Sequence, residues 1–120
     1  MLTLAATRTA SSDCGIFDLS FHFWRGTSGH SYVHWAYTLM GCPAVPAASV
    51  MLVRASPTGR VVLDAFCVND ATPSSNLATI RQRGAQLGAN EVHLHFAAGD
   101  LQACRMAAFD LSAQHGQTEQ

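Results

Sequence analysis

Histidine has the most chemistry to offer in this chain, and its six copies are unevenly placed. His22, His30 and His34 lie close together, while His93 and His95 form an H-x-H pair. Two side chains two apart on a strand share one face. Residues opposite one another on paired strands lie ~5 Å apart at Cβ. His22 and His34 can therefore share a metal with His30 reaching in, and His93 with His95 can supply two further ligands. A zinc-type site needs three or four ligands and partners behind them. Neither an H-E-x-x-H nor a paired C-x-x-C pattern supplies them. The expectation is a chain without metal or cofactor, with these imidazoles on the solvated faces of strands.

Other chemistries are thinner. A G-x-S-x-G nucleophile elbow is missing, and so are the G-x-x-x-x-G-K-[ST] and G-x-G-x-x-G phosphate loops. Cys14, Cys42, Cys67 and Cys104 are widely spaced, which reads as reduced thiols packed as small hydrophobes. Cys42, between Gly41 and Pro43, is the candidate exposed thiol. Asp64 interrupts an apolar strand, and period-two alternation places it facing outward. For nucleic acid the candidates are Arg25, Arg81 and Arg83 with the aromatics Trp24 and Tyr32, because guanidinium and aromatic planes stack on unpaired bases. Without a basic run, nucleic acid is not the favoured partner.

The elements that must position these residues follow from periodicity. Residues 16–24 alternate, with Phe17, Leu19, Phe21 and Phe23 apolar, and residues 31–40 alternate again through Val33, Trp35, Tyr37 and Leu39. The intervening GTSGH suits a tight reversal. Setting Phe21 opposite Trp35 puts His22 opposite His34 and Trp24 opposite Tyr32 on the other face of a hairpin. That register predicts Trp35 in the core and Trp24 free to meet a partner. The apolar run at 50–54 predicts a central strand, and SPTG returns the chain into a strand over 60–68. Ser74 or Ser75 caps a helix that stops at Gly88 and Asn90. A strand over 91–96 and a helix capped by Asp100 complete the order. The expected fold is α+β, a small mixed or antiparallel sheet with an N-terminal β-hairpin and two helices in ββ-ββαβα order. Residues 1–14 read as a loose arm, 15–113 as one domain and 114–120 as a polar tail.

From about residue 48 to 112 this order resembles the GIY-YIG nuclease superfamily, whose core runs β–β–α–β–α. Val50-Met51-Leu52-Val53 stands where that family's first signature tripeptide lies, and Phe66-Cys67-Val68 stands near the second. Leu77-Ala78-Thr79-Ile80-Arg81 resembles its helix, with an apolar residue ahead of an Arg. Neither tripeptide is present, and the last helix has no Glu for a divalent metal. The resemblance therefore implies a degenerate member that keeps the fold and has lost the chemistry.

Composition narrows the function classes. The 120 residues are 48% hydrophobic and only 12% charged, which excludes a disordered chain. All seven cationic side chains are Arg, and the formal charge of -1 draws the chain to neither polyanion nor anionic lipid. No stretch reaches the ~20 apolar residues of a membrane span, and the N-terminus lacks a basic leader, so no membrane and a cytoplasmic setting are expected. The favoured reading is a non-catalytic binding or protein-interaction module, with a protein partner or a homodimer. Its expected working surface is His22, Trp24, Arg25, Tyr32 and His34, with Arg81 and Arg83 on the first helix. The alternative is a metal-assisted phosphodiesterase or nuclease acting on nucleic acid through Arg81 and a His cluster.

Overall fold

The structure, a computed structural model, describes residues 20–96 and 101–112. Strands β1 (Ser20–Arg25), β2 (Ser31–Thr38), β3 (Ala48–Ser56), β4 (Gly59–Val68) and β5 (Glu91–His95) form one sheet. Their order is β1-β2-β5-β3-β4, and every pairing is antiparallel. Helix α1 (Pro73–Leu87) joins β4 to β5, and α2 (Leu101–Ser112) follows β5. The fold is α+β in the expected order. The expected arm over 1–14, the tail over 114–120 and the Asp100 cap lie outside the described residues.

The centre of the sheet follows from β3. Ala48–Val53 is buried at every position, so both faces of this strand need cover. On one face Val50 and Leu52 pack with Val92, Leu94, Val68 and Ile80 of α1. On the other, Met51 and Val53 pack with Val62, Trp24 and Leu111 of α2. One helix therefore covers each face, and the central-strand expectation holds.

Helix α1 begins two residues earlier than a cap at Ser74 predicts, and three earlier than one at Ser75. Its N-cap is Thr72, which makes no side-chain capping bond, and Pro73 occupies the first turn. Proline there is already set at a helical φ and has no N–H to leave unpaired. The helix stops at Gly88, whose φ of 82° lies in the left-handed region. Gly84 lets α1 close onto the chain after β2, where a Cβ would sit 2.6 Å from Leu39 Cδ1.

The β1–β2 register is the one the alternation predicts: Phe21 faces Trp35, His22 faces His34 and Trp24 faces Tyr32. Which face points inward is reversed. His22 and His34 are fully buried and Trp24 is 4% exposed, while Phe23 is 55% and Val33 41% exposed. Trp35 is only half-buried, so the expected division of labour between the two tryptophans is overturned. The cause lies outside the hairpin. The apolar cluster beneath α1 is built from β3, β4, β5 and the far end of β2, whereas the cluster beneath α2 takes in Trp24 and Tyr32. Alternation defines two faces, but the tertiary position of the helices decides which one is covered.

Candidate functional site

The antiparallel pairing of β2 with β5 sets Ala36 opposite His93, and so brings the two histidine groups of the sequence onto one face. The rings of His22 and His93 stack with centroids 4.8 Å apart, and those of His34 and His95 lie 5.6 Å apart. His93 is the best anchored. Trp24 Nε1–H donates to its Nδ1 at 2.9 Å, so Nδ1 carries no proton. Its Nε2–H then donates to Glu91 Oε1 at 2.9 Å, and that oxygen also accepts Arg60 Nε–H at 2.9 Å. These contacts fix the neutral Nε2–H tautomer, because a second ring proton would face the indole N–H.

Electrostatics agree with this hydrogen-bond order. Burial pushes the His93 pKa down against the opposing bond to Glu91. Burial would raise Glu91, but the bonds from His93 and Arg60 outweigh it and hold the carboxyl down to about 2. His34 donates from Nδ1 to the Tyr32 carbonyl at 2.9 Å, which leaves its Nε2 bare. That Nε2 is buried with no hydrogen-bond partner among the described residues. Burial, with help from His93, lowers the His34 pKa well below the ordinary imidazole range. His95 likewise gives Nδ1–H to the Val33 carbonyl at 2.9 Å.

A second hub ties α2 to the hairpin turn. The Asp110 carboxylate accepts hydrogen bonds from Thr27 Oγ1 at 2.8 Å, the Ser28 amide at 2.9 Å, Ser28 Oγ at 2.6 Å and Tyr32 OH at 2.8 Å. The Ser28 and Thr27 bonds, with that of Tyr32, hold the Asp110 pKa far below the usual carboxylate range. Burial and the same Asp110 contact raise the Tyr32 pKa. Gly26 makes room, since any side chain there would collide with the Asp110 carboxylate.

The remaining candidates scatter. His30 is exposed at the turn, with its ring edge-on to Tyr32, apart from the buried imidazoles. Arg25 is exposed at the end of β1. Arg81 gives its guanidinium to the carbonyls of Met40 at 2.8 Å and Cys42 at 3.5 Å, tying α1 to the loop after β2. Arg83, two residues on, pairs with Asp64 at 3.0 Å and lies over the Phe66 ring at 4.7 Å. Asp64 and Arg83 border an open hollow of about 380 Å³ together with Gln82 and Gln86. Asp64 is thus part-buried and paired rather than freely outward. Cys42, expected to be exposed, is buried, and burial lifts its thiol to about 11.

Among the described residues no three His, Cys, Asp or Glu side chains are grouped to hold a metal ion. The buried face carries instead a hydrogen-bonded chain from Trp24 through His93 and Glu91 to Arg60 that fixes a single His93 tautomer. Sequence reasoning placed Trp24 in register but passed over Glu91, although E-x-H-x-H puts Glu91 on the His93 face. It also passed over Asp110 as a hub and the approach of Cys67 to Cys104, whose sulfurs lie 2.8 Å apart. No family model matches the chain, and no curated protein or solved structure is significantly similar to it.

Proposed function

We propose that this chain is a non-catalytic interaction module on a degenerate GIY-YIG-like fold, and that it pairs with a second copy of itself through β1 and the outer face of the β1–β2 hairpin. The observation that carries the reading is the exposure of Phe23 and Val33, which are register partners on that face. The tilted Phe21–Trp35 ring pair, with centroids 4.2 Å apart, lies on the same face, and Phe96 is exposed just past β5. Patches of this kind on small domains mark association sites.

Among the described residues, the two outer strands of the sheet differ in a way that favours β1 as the seam. Strand β4 carries Arg60 and Asp64, and its register slips by one residue opposite Leu52 and Val53. Charges and bulges of this kind discourage edge pairing. Strand β1 reads SFHFWR, with no proline, no bulge and a single charge at its end. An antiparallel strand pair is self-complementary about a two-fold axis, so one edge can meet its own copy. The free thiols among the described residues suit the cytoplasmic setting proposed for the module. The nuclease alternative would need Arg81 to face a substrate, whereas its guanidinium is committed to backbone carbonyls.

Sedimentation velocity over a concentration series tests the proposal. The wild-type chain is expected to sediment as a dimer, and Phe23→Asp and Val33→Arg as monomers with unchanged far-ultraviolet circular dichroism. A wild-type monomer at every concentration overturns the reading. So does a dimer that both variants leave intact.

A further inference from the structure

The structure assigns Cys67 and Cys104 as a reversible disulfide site that clamps α2 to the edge strand β4. The two thiols sit on elements 37 residues apart in sequence, yet their sulfurs are 2.8 Å from one another. A covalent bond of ~2.05 Å needs them to close by less than ~1 Å. Both face the same layer. Cys67 is paired with Ser49 on the face that α2 covers, and Cys104 is on the buried side of α2 with Ala107, Ala108 and Leu111.

Their environments divide the roles. Cys67 is part-exposed and meets the oxidant, whereas Cys104 is buried and its thiol is raised to about 12 by burial and by Cys67. The oxidant is a low-molecular-weight disulfide such as glutathione disulfide. The Cys67 thiol releases its proton to solvent, and the thiolate attacks one sulfur of the oxidant. The sulfur–sulfur bond of the oxidant breaks, and the expelled thiolate takes up a proton. Cys104, losing its own proton, then attacks Cys67 Sγ in the mixed disulfide and displaces the second small thiol. One oxidant molecule is reduced to two thiols, and the protein dithiol is oxidised to one disulfide.

The bond would act at the first half of α2, while Asp110 already ties the last turn of that helix to the Gly26–Ser28 turn. Oxidation therefore fixes both ends of α2, the helix that packs on β3 and β4. Reduction leaves the first half of α2 held by packing, so the redox state sets how firmly that half of the helix is held against β4.

The experiment equilibrates the full chain in a glutathione redox series, quenches with acid, alkylates the remaining thiols and reads intact mass and a non-reducing peptide map. Expected is a species that has lost two hydrogens, carries no glutathione and maps to a Cys67–Cys104 link. Cys67→Ser and Cys104→Ser abolish that link, whereas Cys42→Ser retains it. The oxidised chain should also melt about 10 °C or more above the reduced one. A chain that stays reduced in fully oxidised buffer overturns the assignment, as does a link that maps to Cys14 or Cys42. An unchanged melting point in a chain carrying the mapped link overturns the clamp. The mapping needs only wild-type protein, so a variant that fails to fold does not remove the test.

Discussion

Trp24 and His93 are 69 residues apart in sequence, and the indole N–H of one is the donor that keeps a ring nitrogen of the other free of a proton. The contact joins the first strand of the sheet to the last in sequence. Trp24→Phe keeps most of the buried ring and deletes the donor, leaving a buried acceptor unpaired. The expected loss is about 1–3 kcal/mol in urea denaturation. The His93 pKa should rise as well, since Nδ1 no longer faces an N–H, and NMR titration of the ring reads that directly. A variant with wild-type stability and an unmoved titration would show that the bond is idle.

The buried imidazoles predict acid sensitivity with a definite sign. His34 and His93 both titrate below their ordinary value in the folded chain. The unfolded chain therefore takes up protons first as the pH falls through about 6.5. Stability from these groups is complete above that pH and declines below it, by up to about 1.4 kcal/mol per pH unit for each group. Glu91 adds a second loss, starting near its ordinary value of 4.5 and ending at about 2. Urea midpoints measured from pH 8 to 4 should be flat and then fall. A midpoint that stays level between pH 7 and 5 contradicts the burial of these rings.

Gly26 and Asp110 should behave as one unit. Gly26→Ala drives a methyl group into the Asp110 carboxylate, at an expected cost of about 1–3 kcal/mol. Asp110→Ala removes the acceptor shared by Thr27, Ser28 and Tyr32 and costs stability on its own. Combined, the two substitutions should cost clearly less than their sum, because the collision disappears with the carboxylate. Denaturation of the four proteins gives the coupling directly. Strict additivity would mean that the turn relaxes away from α2.

Asn76 is a buried staple with no warning in the sequence. Its side-chain amide donates to the carbonyls of Val45, Pro46 and Asp70, and its Oδ1 accepts the Asp70 amide at 2.9 Å. Asn76→Asp keeps the size and turns the donor into an acceptor facing carbonyl oxygens. An expected loss of about 3 kcal/mol follows, read as a drop in thermal midpoint. A drop no larger than that of an exposed substitution such as Gln82→Glu would refute the role.

The hairpin register was legible because a period of two and a short turn leave few ways to pair Phe21 with Trp35. The place of β3 was legible because the unbroken apolar run Val50–Val53 has no polar face to offer to water and so sits between two covered faces. The inward face of the hairpin was not, since Phe23 is more apolar than His22 and yet lies outside. That choice depends on α2, which packs from the far end of the chain. Trp24 with His93, Asp110 with Ser28 and Cys67 with Cys104 are likewise tertiary meetings, and local pattern carries no information about them. Asn76 lies inside a helix with no local signal of its role, and Asn90 reads in the sequence only as part of a helix stop. In the structure the Asn90 side chain pairs with both the amide and the carbonyl of Ala55, as one more peptide of β5 would.

The strand order also sets a timetable. Strand β2 has no ladder with β3; its partner beside β1 is β5, through Trp35–Leu94 and Tyr37–Val92. Strands β3 and β4, α1 and β5 can assemble by near-neighbour closures along the chain. The β1–β2 hairpin has to wait for a slot that does not exist until residue 95 has been made. During synthesis it leaves the ribosome before the other strands of the sheet and is placed after them, with Phe23 and Val33 on one side and unburied imidazoles on the other. For that interval the hairpin is an unclaimed ribbon with an apolar patch open to any other chain.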